Sequence, residues 1–592
     1  MTGLDGSDVV QCLKEKKTLY HVSEGTGISC TGAVRWRGVY VFMRMKVSDY
    51  IARKLVDEGI SDVFMVTGGG AMHLDDGLGH EPGLHCTFNH HEQACAIAAE
   101  CYARIHNKIA AVCVTTGPGG TNAITGVVGG WLDSIPMLIL SGQVRYDTTA
   151  RSTGLGIRAL GDQEFEITKA IDCMTKYCEM VIDPMRIRFC LEKALYLAQT
   201  GRPGPCWLDI PLNVQGAYVE TEELLGFDKN DYEAGGTGWS VHGSGCDGCG
   251  LCAGKLIQGK PAMIPEDEAG KGEKRELLPP SVSLDLAREI VKKVREAKRP
   301  VINAGNGIRI GKAFDVFQRV VEMLGIPVVT GWNSLDCMYD SHPLYVGRAG
   351  HMGDRPGNFA VQNCDLLLSL GSRLSIRQVG YNYPTWAREA YVIYNDIDAE
   401  ELKKPTVHVD MPVHADVKDL LEKMEMVLEV EAVSADGGPK DKEAVDWWIS
   451  RCQQWKEKYP VVLPKHYEAG EDQPANIYAA IKEISRRAEE DQITVVGNGS
   501  PCVVGGHAYE MKKGQRFISN SAIASMGYDL PAAIGACLAD HTKDIILVTG
   551  DGSIQMNLQE LQTIIHNHLP IKIFLINNGG YHSIRQTQKN FF

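Results

Sequence analysis

The sequence predicts an α/β protein built from three doubly wound, parallel-sheet domains. Short apolar strands that stop at Gly, Asn or Asp recur along the chain, amphipathic helical stretches alternate with them, and two segments of different composition separate three such blocks. A chain of 592 residues is also too long for one core.

Residues 1–44 lack the periodicity of the rest of the chain. Asp5, Asp8, Glu15 and Glu24 disfavour a transit peptide, so the segment reads as a non-essential extension or the product of an upstream start codon. The first domain, 45–226, opens with an amphipathic helix from Met45 (MKVSDYIARKLVDEGI). It continues through the strands VFMVTG, AAVCVTTG and MLILSG and closes with CWLDIPLNV. Residues 227–280, rich in Gly, Lys, Glu and Pro, read as a linker or insertion. The central domain, 281–428, has the helix LDLAREIVKKVREA and the strands PVINAG, DLLLSLG and AYVIYNDID. A linker helix region, 429–469, precedes the third domain, 470–592, with ITVVGNG and the glycine-rich SNSAIASMGYDLPAAIGA.

Bulk properties exclude several functions. A composition of 44% hydrophobic and 23% charged residues is that of a globular enzyme. A net charge of −14 argues against nucleic acid and anionic membranes as partners. No run of 18 apolar residues suggests a membrane span, and eighteen scattered cysteines without a signal peptide suggest a reducing cytoplasm.

The chemistry concentrates near the end of the chain, in GDGSIQMNLQELQTIIHNHLPIKIFLINNGGY. Residues 544–549 and 571–576 read as strands, and Leu558, Leu561, Ile564, Ile565 and Leu569 recur between them at helical spacing. A right-handed β-α-β crossover brings both strand ends to one sheet edge, the ligand-binding edge of open α/β sheets. Asp551 and Asn578 come just after those ends, and a carboxylate beside an amide oxygen suits Mg²⁺. Gly550, Gly552, Gly579 and Gly580 let the backbone approach a ligand closely. The same pattern is also that of an ordinary unit with polar loop ends.

A second candidate is Glu92, in the first turn of FNHHEQACAIAAECYARI. An acid there complements the helix dipole without further function. Ala94, Ala96, Ala98 and Ala99 nevertheless imply close packing, and a carboxyl group in an apolar setting can exchange a proton near neutrality.

Three further motifs fail. GNGIRIGKA has Asn306 and Ala313 where a P-loop needs Gly and Ser or Thr, and Gly117-Pro118-Gly119-Gly120-Thr121-Asn122 is not a dinucleotide fingerprint. Cys246, Cys249 and Cys252 form CxxCxxC without a fourth ligand at motif spacing, so no Fe–S or zinc site is expected there.

GDG followed after 24 residues by NN resembles the signature of thiamine-diphosphate-dependent enzymes. HEQ with its small-residue helix, TxGPGxTN, IPMLILSGQV and ASMGYDLPAAIGA are similar to the acetolactate synthase family, from about Met45 to the last residue. That resemblance implies thiamine diphosphate and Mg²⁺ as cofactors, with Asp551, Asn578 and the Gly580 carbonyl on the metal. It implies that Glu92 exchanges a proton with the aminopyrimidine ring, and that Met526 wedges the cofactor into a bent shape. Gly117, Pro118, Gly119, Asn122 and Gln143 would lie near the reacting centre, and Gly550, Gly552 and Ser553 at the diphosphate. The implied reaction is decarboxylation of a 2-oxoacid, pyruvate first, and carboligation to a second carbonyl, as in branched-chain amino-acid biosynthesis. A homo-oligomer with active sites at the subunit interface, and a regulatory subunit, are the implied partners. Sheets of this family continue for one or two more β-α units, so the third domain is expected to be C-terminally incomplete.

The central domain departs from the family. Where acetolactate synthases carry FDDRVTG near a flavin, Leu374-Ser375-Ile376-Arg377-Gln378-Val379-Gly380 keeps the Arg and the last Gly but neither acid. Gly350-His351-Met352-Gly353 is altered likewise, so weak or absent FAD is expected. A carboligase of sugar or secondary metabolism fits equally well. A 2-oxoacid decarboxylase that releases aldehyde is the competing enzyme activity. A non-enzymatic paralogue is disfavoured by the joint presence of Glu92, Asp551 and Asn578.

Overall fold

Each predicted block forms a parallel sheet. The computed structural model describes residues 20–24, 34–36, 39–240, 275–432, 438–470 and 472–592, and the CxxCxxC cysteines lie outside them. The chain divides into two units, one of residues 1–99, 109–131 and 136–275, the other of residues 100–108, 132–135 and 276–592.

The first unit holds a six-stranded sheet of Asp62–Met65, His85–Phe88, Ala110–Val114, Met137–Gln143, Tyr177–Met180 and Pro205–Pro211. All pairs are parallel, and numbered along the chain the strands lie in the order 2-1-3-4-6-5. The strands Ala110–Val114, Met137–Gln143 and Pro205–Pro211 are buried along their whole length, as strands covered on both faces must be.

The second unit holds two sheets. Pro300–Ala304, Val328–Thr330, Tyr345–Arg348, Leu366–Leu370, Tyr391–Asp396 and Met411–His414 lie in the order 3-2-1-4-5-6, as in dinucleotide-binding domains. Ile493–Val496, Arg516–Ser519, Ile545–Gly550 and Ile571–Ile576 lie in the order 2-1-3-4. Asp336 joins the regions around these two sheets, with Arg516 at 2.6 Å and Arg309 at 3.6 Å. Burial alone would push the Asp336 pKa up, but the two guanidinium groups hold it below the ordinary carboxylate value.

The structure differs from the sequence expectation at three boundaries. Met45 and Lys46 end a strand, Val39–Lys46, and the helix starts at Val47. The run VYVFMRM, rich in the β-branched and aromatic residues that favour strands, supplies that strand, which pairs antiparallel with Tyr218–Glu220. Residues 227–240 belong to the first domain rather than to a linker, because their aromatic residues are core. Phe227 and Tyr232 are buried, and Trp239 stacks on Phe189 with centroids 3.8 Å apart. The helix Lys442–Lys458 likewise covers the central sheet, burying Val445, Trp448 and Cys452, with the Trp448 indole donating to the Pro300 carbonyl at 3.2 Å.

The strand Ile571–Ile576 pairs with Ile545–Gly550 on one side, and among the described residues with nothing on the other. Ile573, Phe574 and Leu575 are 37%, 40% and 50% exposed. No described helix is long and apolar enough to cross a membrane.

Candidate active site

The candidate residues fall on two clusters of strand ends, one in each unit. In the first unit the strand Ala110–Val114 leads through Thr116 into Gly117, whose φ is +62°. A Cβ there would overlap the Gln163 carbonyl oxygen, so glycine is required. Pro118 then opens the helix Pro118–Asp133, its fixed φ suited to a first turn. Gly126 of that helix lies so close to Ala96 that a Cβ would overlap it. This explains the alanine-rich face of the facing helix, whose Ala94, Ala96, Ala98 and Ala99 are all buried.

Glu92 is the first residue of that facing helix, Glu92–His106, and is half-buried. Its Oε2 accepts a hydrogen bond from the Asn122 amide at 3.0 Å. Glu92 and the Gly117–Asn122 turn therefore meet, although 30 residues separate Glu92 from Asn122. Gln143 ends the strand Met137–Gln143 and is 1% exposed. Its oxygen accepts from the Thr116 hydroxyl at 2.7 Å and from the Val144 N–H at 3.0 Å. Its nitrogen donates to Asp209 at 3.0 Å and to the Phe165 carbonyl at 2.9 Å. The amide is thus saturated inside the protein and props Thr116, immediately before the glycine turn.

In the second unit, Gly550 and Ile576 stand opposite each other at the ends of adjacent parallel strands. Asp551 donates its N–H to the Ile576 carbonyl at 3.2 Å and accepts the Gly580 N–H on Oδ2 at 2.8 Å. Gly579 and Gly580 have φ of +74° and +79°, the conformation that turns the chain back toward Asp551. Asn578 donates to the Ser500 hydroxyl at 3.4 Å, and its Oδ1 is buried with no hydrogen-bond partner among the described residues. A buried amide oxygen without a donor needs one or a cation. Met526 and Tyr581 flank Gly552: a Cβ there would be 3.4 Å from the Met526 methyl and 3.6 Å from the Tyr581 ring. Ser553 is buried and accepts the Gly527 N–H at 3.0 Å.

The two clusters are topologically equivalent. Gly117–Asn122 comes after the third strand of the first sheet, as Asp551–Ser553 comes after the third strand of the last, which Gly550 ends. Gln143 ends the fourth strand of one, and Asn577 and Asn578 come after the fourth strand of the other. Both sets sit at the carboxyl edge beside the point where strand order reverses.

No group of three or more His, Cys, Asp or Glu side chains among the described residues is placed to hold a metal. One carboxylate, one orphaned amide oxygen and one backbone carbonyl still make a donor set for a hard cation that takes its remaining ligands from phosphate and water. The glycines around them leave room for a diphosphate, so the residues present fit that pair of groups.

Two buried acids complete the clusters, and each is the one charged residue of an apolar element. Asp209, in PCWLDIP, accepts from Ser141 at 2.6 Å and from Gln143. Burial pushes its pKa up to about 7, against the hydrogen bonds from Ser141 and Gln143. Asp529, in DLPAAIGACLA, lies behind the Asp551 loop. In the central domain, Ser375 precedes the short helix Ile376–Val379, and the Arg377 guanidinium lies 5.9 Å over the Trp332 ring.

Comparison with known proteins bears on the same segments. Residues 45–164 match the N-terminal TPP binding domain of thiamine pyrophosphate enzymes, 287–424 the central domain and 497–592 the C-terminal TPP binding domain. The acetolactate synthase large subunit of Lactococcus lactis is 30% identical over 92% of this chain and 83% of its own. That of Cyanidium caldarium is 29% identical over 91% and 82%, and the isozyme 3 large subunit of Escherichia coli is 29% identical over 91% and 83%.

Proposed function

Since the chain belongs to the thiamine pyrophosphate enzyme family, close to the acetolactate synthases, we propose that it decarboxylates a 2-oxoacid, pyruvate first, and joins the fragment to a second carbonyl compound. The observation that carries the reading is the convergence of Asp551, Gly580 and the orphaned Asn578 oxygen at two adjacent strand ends. Asp551, Asn578 and the Gly580 carbonyl would hold Mg²⁺, and Gly550, Gly552 and Ser553 would line the diphosphate. When bound, thiamine diphosphate supplies the electron sink that decarboxylation needs.

The chain's own residues do the rest. Glu92 would hold and return a proton at its carboxylate, whose orientation the Asn122 amide fixes. Gly117, Pro118 and Gly119 shape the turn beside it, and Gln143 braces that turn through Thr116. Met526, against Gly552, supplies the apolar wedge. Assembly into a homo-oligomer is part of this reading.

Product analysis tests it. With pyruvate, thiamine diphosphate and Mg²⁺, acetolactate is expected; acetaldehyde would make the protein a decarboxylase, and no turnover on any 2-oxoacid would sink the proposal. A second reading, a carboligase of sugar or secondary metabolism, draws on Ser375 and Ile376 in the central domain. It predicts turnover only when an aldehyde acceptor other than pyruvate is supplied.

A further inference from the structure

Asp529 is fully buried at the start of the helix Asp529–Ala539, behind the loop that carries Asp551. One of its carboxylate oxygens accepts the Ser553 hydroxyl at 2.9 Å, and the second accepts the Thr549 hydroxyl. These two hydroxyls stand on either side of Gly550-Asp551-Gly552. The Ser553 oxygen in turn accepts the N–H of Gly527, and the Asn557 amide donates to the Gly527 carbonyl at 2.7 Å. Gly527, at φ +80°, directly follows Met526. Room for the carboxylate is made across the sheet by Gly497, where a Cβ would overlap it.

Packing alone does not call for an acid here. The rest of the helix is apolar, and a buried carboxyl group is costly unless its acceptors are used. Both are used, and both are spent on the flanks of one loop. Burial pushes the Asp529 pKa up to about 6 while the Thr549 and Ser553 hydroxyls pull against it, as expected of hydroxyls that favour the ionised form.

We infer that Asp529 is a positioning residue that braces the Asp551 loop on both sides and, through Ser553 and Gly527, locks the Met526 turn to it. The inference rests on the reading of Asp551 and Asn578 as the cation and diphosphate site. Its consequence is coupling: loosening the brace should disturb cation-dependent retention of the diphosphate and the placement of Met526 together, with the rest of the fold intact.

The test uses the full chain with Asp529→Ala, Asp529→Asn, Thr549→Val and, as control, Asp551→Ala. Thiamine diphosphate is titrated calorimetrically at a series of Mg²⁺ concentrations, and each apo chain is melted separately. Asp529→Ala should raise the Mg²⁺ concentration for half-maximal retention about tenfold or more, the scale of losing two charge-assisted hydrogen bonds. Asp529→Asn keeps one acceptor and Thr549→Val keeps the shape, so each should shift it by about threefold, with little change in apo melting. These two carry the test if the alanine variant does not fold. Wild-type Mg²⁺ dependence in both, with or without lower melting temperatures, would overturn the inference and leave Asp529 a core residue. If Asp551→Ala loses the Mg²⁺ response while Asp529→Asn and Thr549→Val keep it, only this inference falls. If wild type shows no Mg²⁺ response, the site reading falls and takes the inference with it.

Discussion

The backbone N–H of Gly580 donates to the Asp551 carboxylate at 2.8 Å across 29 residues of sequence. Two loops that leave different strands are thereby tied together, and the side-chain oxygen of the neighbouring Asn578 is buried beside the tie.

Removing either side-chain ligand should therefore weaken one function in one way. Asp551→Ala and Asn578→Ala should each raise the Mg²⁺ requirement for thiamine diphosphate binding, by about tenfold or more for loss of one ligand. Cofactor titration with and without Mg²⁺ measures it. A metal response unchanged in either variant would remove that residue from the coordination sphere.

Glu92→Gln keeps an oxygen for the Asn122 amide, so the fold and most of the cofactor affinity should survive. The exchange rate of the thiazolium proton, followed by NMR on the bound cofactor, should fall by roughly 10²–10⁴-fold, the range of general acid–base catalysis. Exchange at the wild-type rate would rule Glu92 out as the proton carrier.

Flavin should be weak or absent. Ser375 and Ile376 stand where the resemblance calls for acids, and Ser375 serves here as the residue before a short helix. The visible spectrum of the freshly purified protein decides: a stoichiometric flavin band would refute this and favour acetolactate synthase chemistry in its full form.

Asp209 makes a pH prediction. Its folded pKa, about 7, lies above the ordinary carboxylate value, so between about pH 4 and pH 7 the folded state holds a proton that the unfolded chain has released. Stability from this group is present below that window and is lost as pH rises through it, by up to roughly 3–4 kcal/mol. Asp209→Asn removes the dependence, so the stability difference between wild type and variant should move in the variant's favour from pH 5 to pH 8. Urea unfolding at both pH values measures the change, and a difference independent of pH would mean that Asp209 ionises normally.

Much of this was legible in the sequence because the central strands are covered on both faces and must be continuous apolar runs. AAVCV, MLILSG, PVINA, LLLSL and IILVTG all read as strands for that reason. His85–Phe88, Tyr177–Met180, Tyr345–Arg348, Met411–His414 and Arg516–Ser519 lie at sheet edges, where shorter and more polar sequences suffice and the pattern fades. At the site, spacing and glycines pointed to Asp551 and Asn578 as neighbours. Spacing could not show that Gln143 spends its whole amide inside the protein, because that depends on Thr116, Phe165 and Asp209 arriving from three separate segments. Asp209 and Asp529 did leave a signal, a lone acid in an apolar element, whose meaning depends on hydroxyl and amide partners from elsewhere in the chain.

The buried Asp336 carboxylate, shared by Arg516 and Arg309, gives the second unit a fastening that yields only to strong acid. Its pKa is held below the ordinary value by those two guanidinium groups, so the stability it contributes is kept until the pH falls through that lowered value.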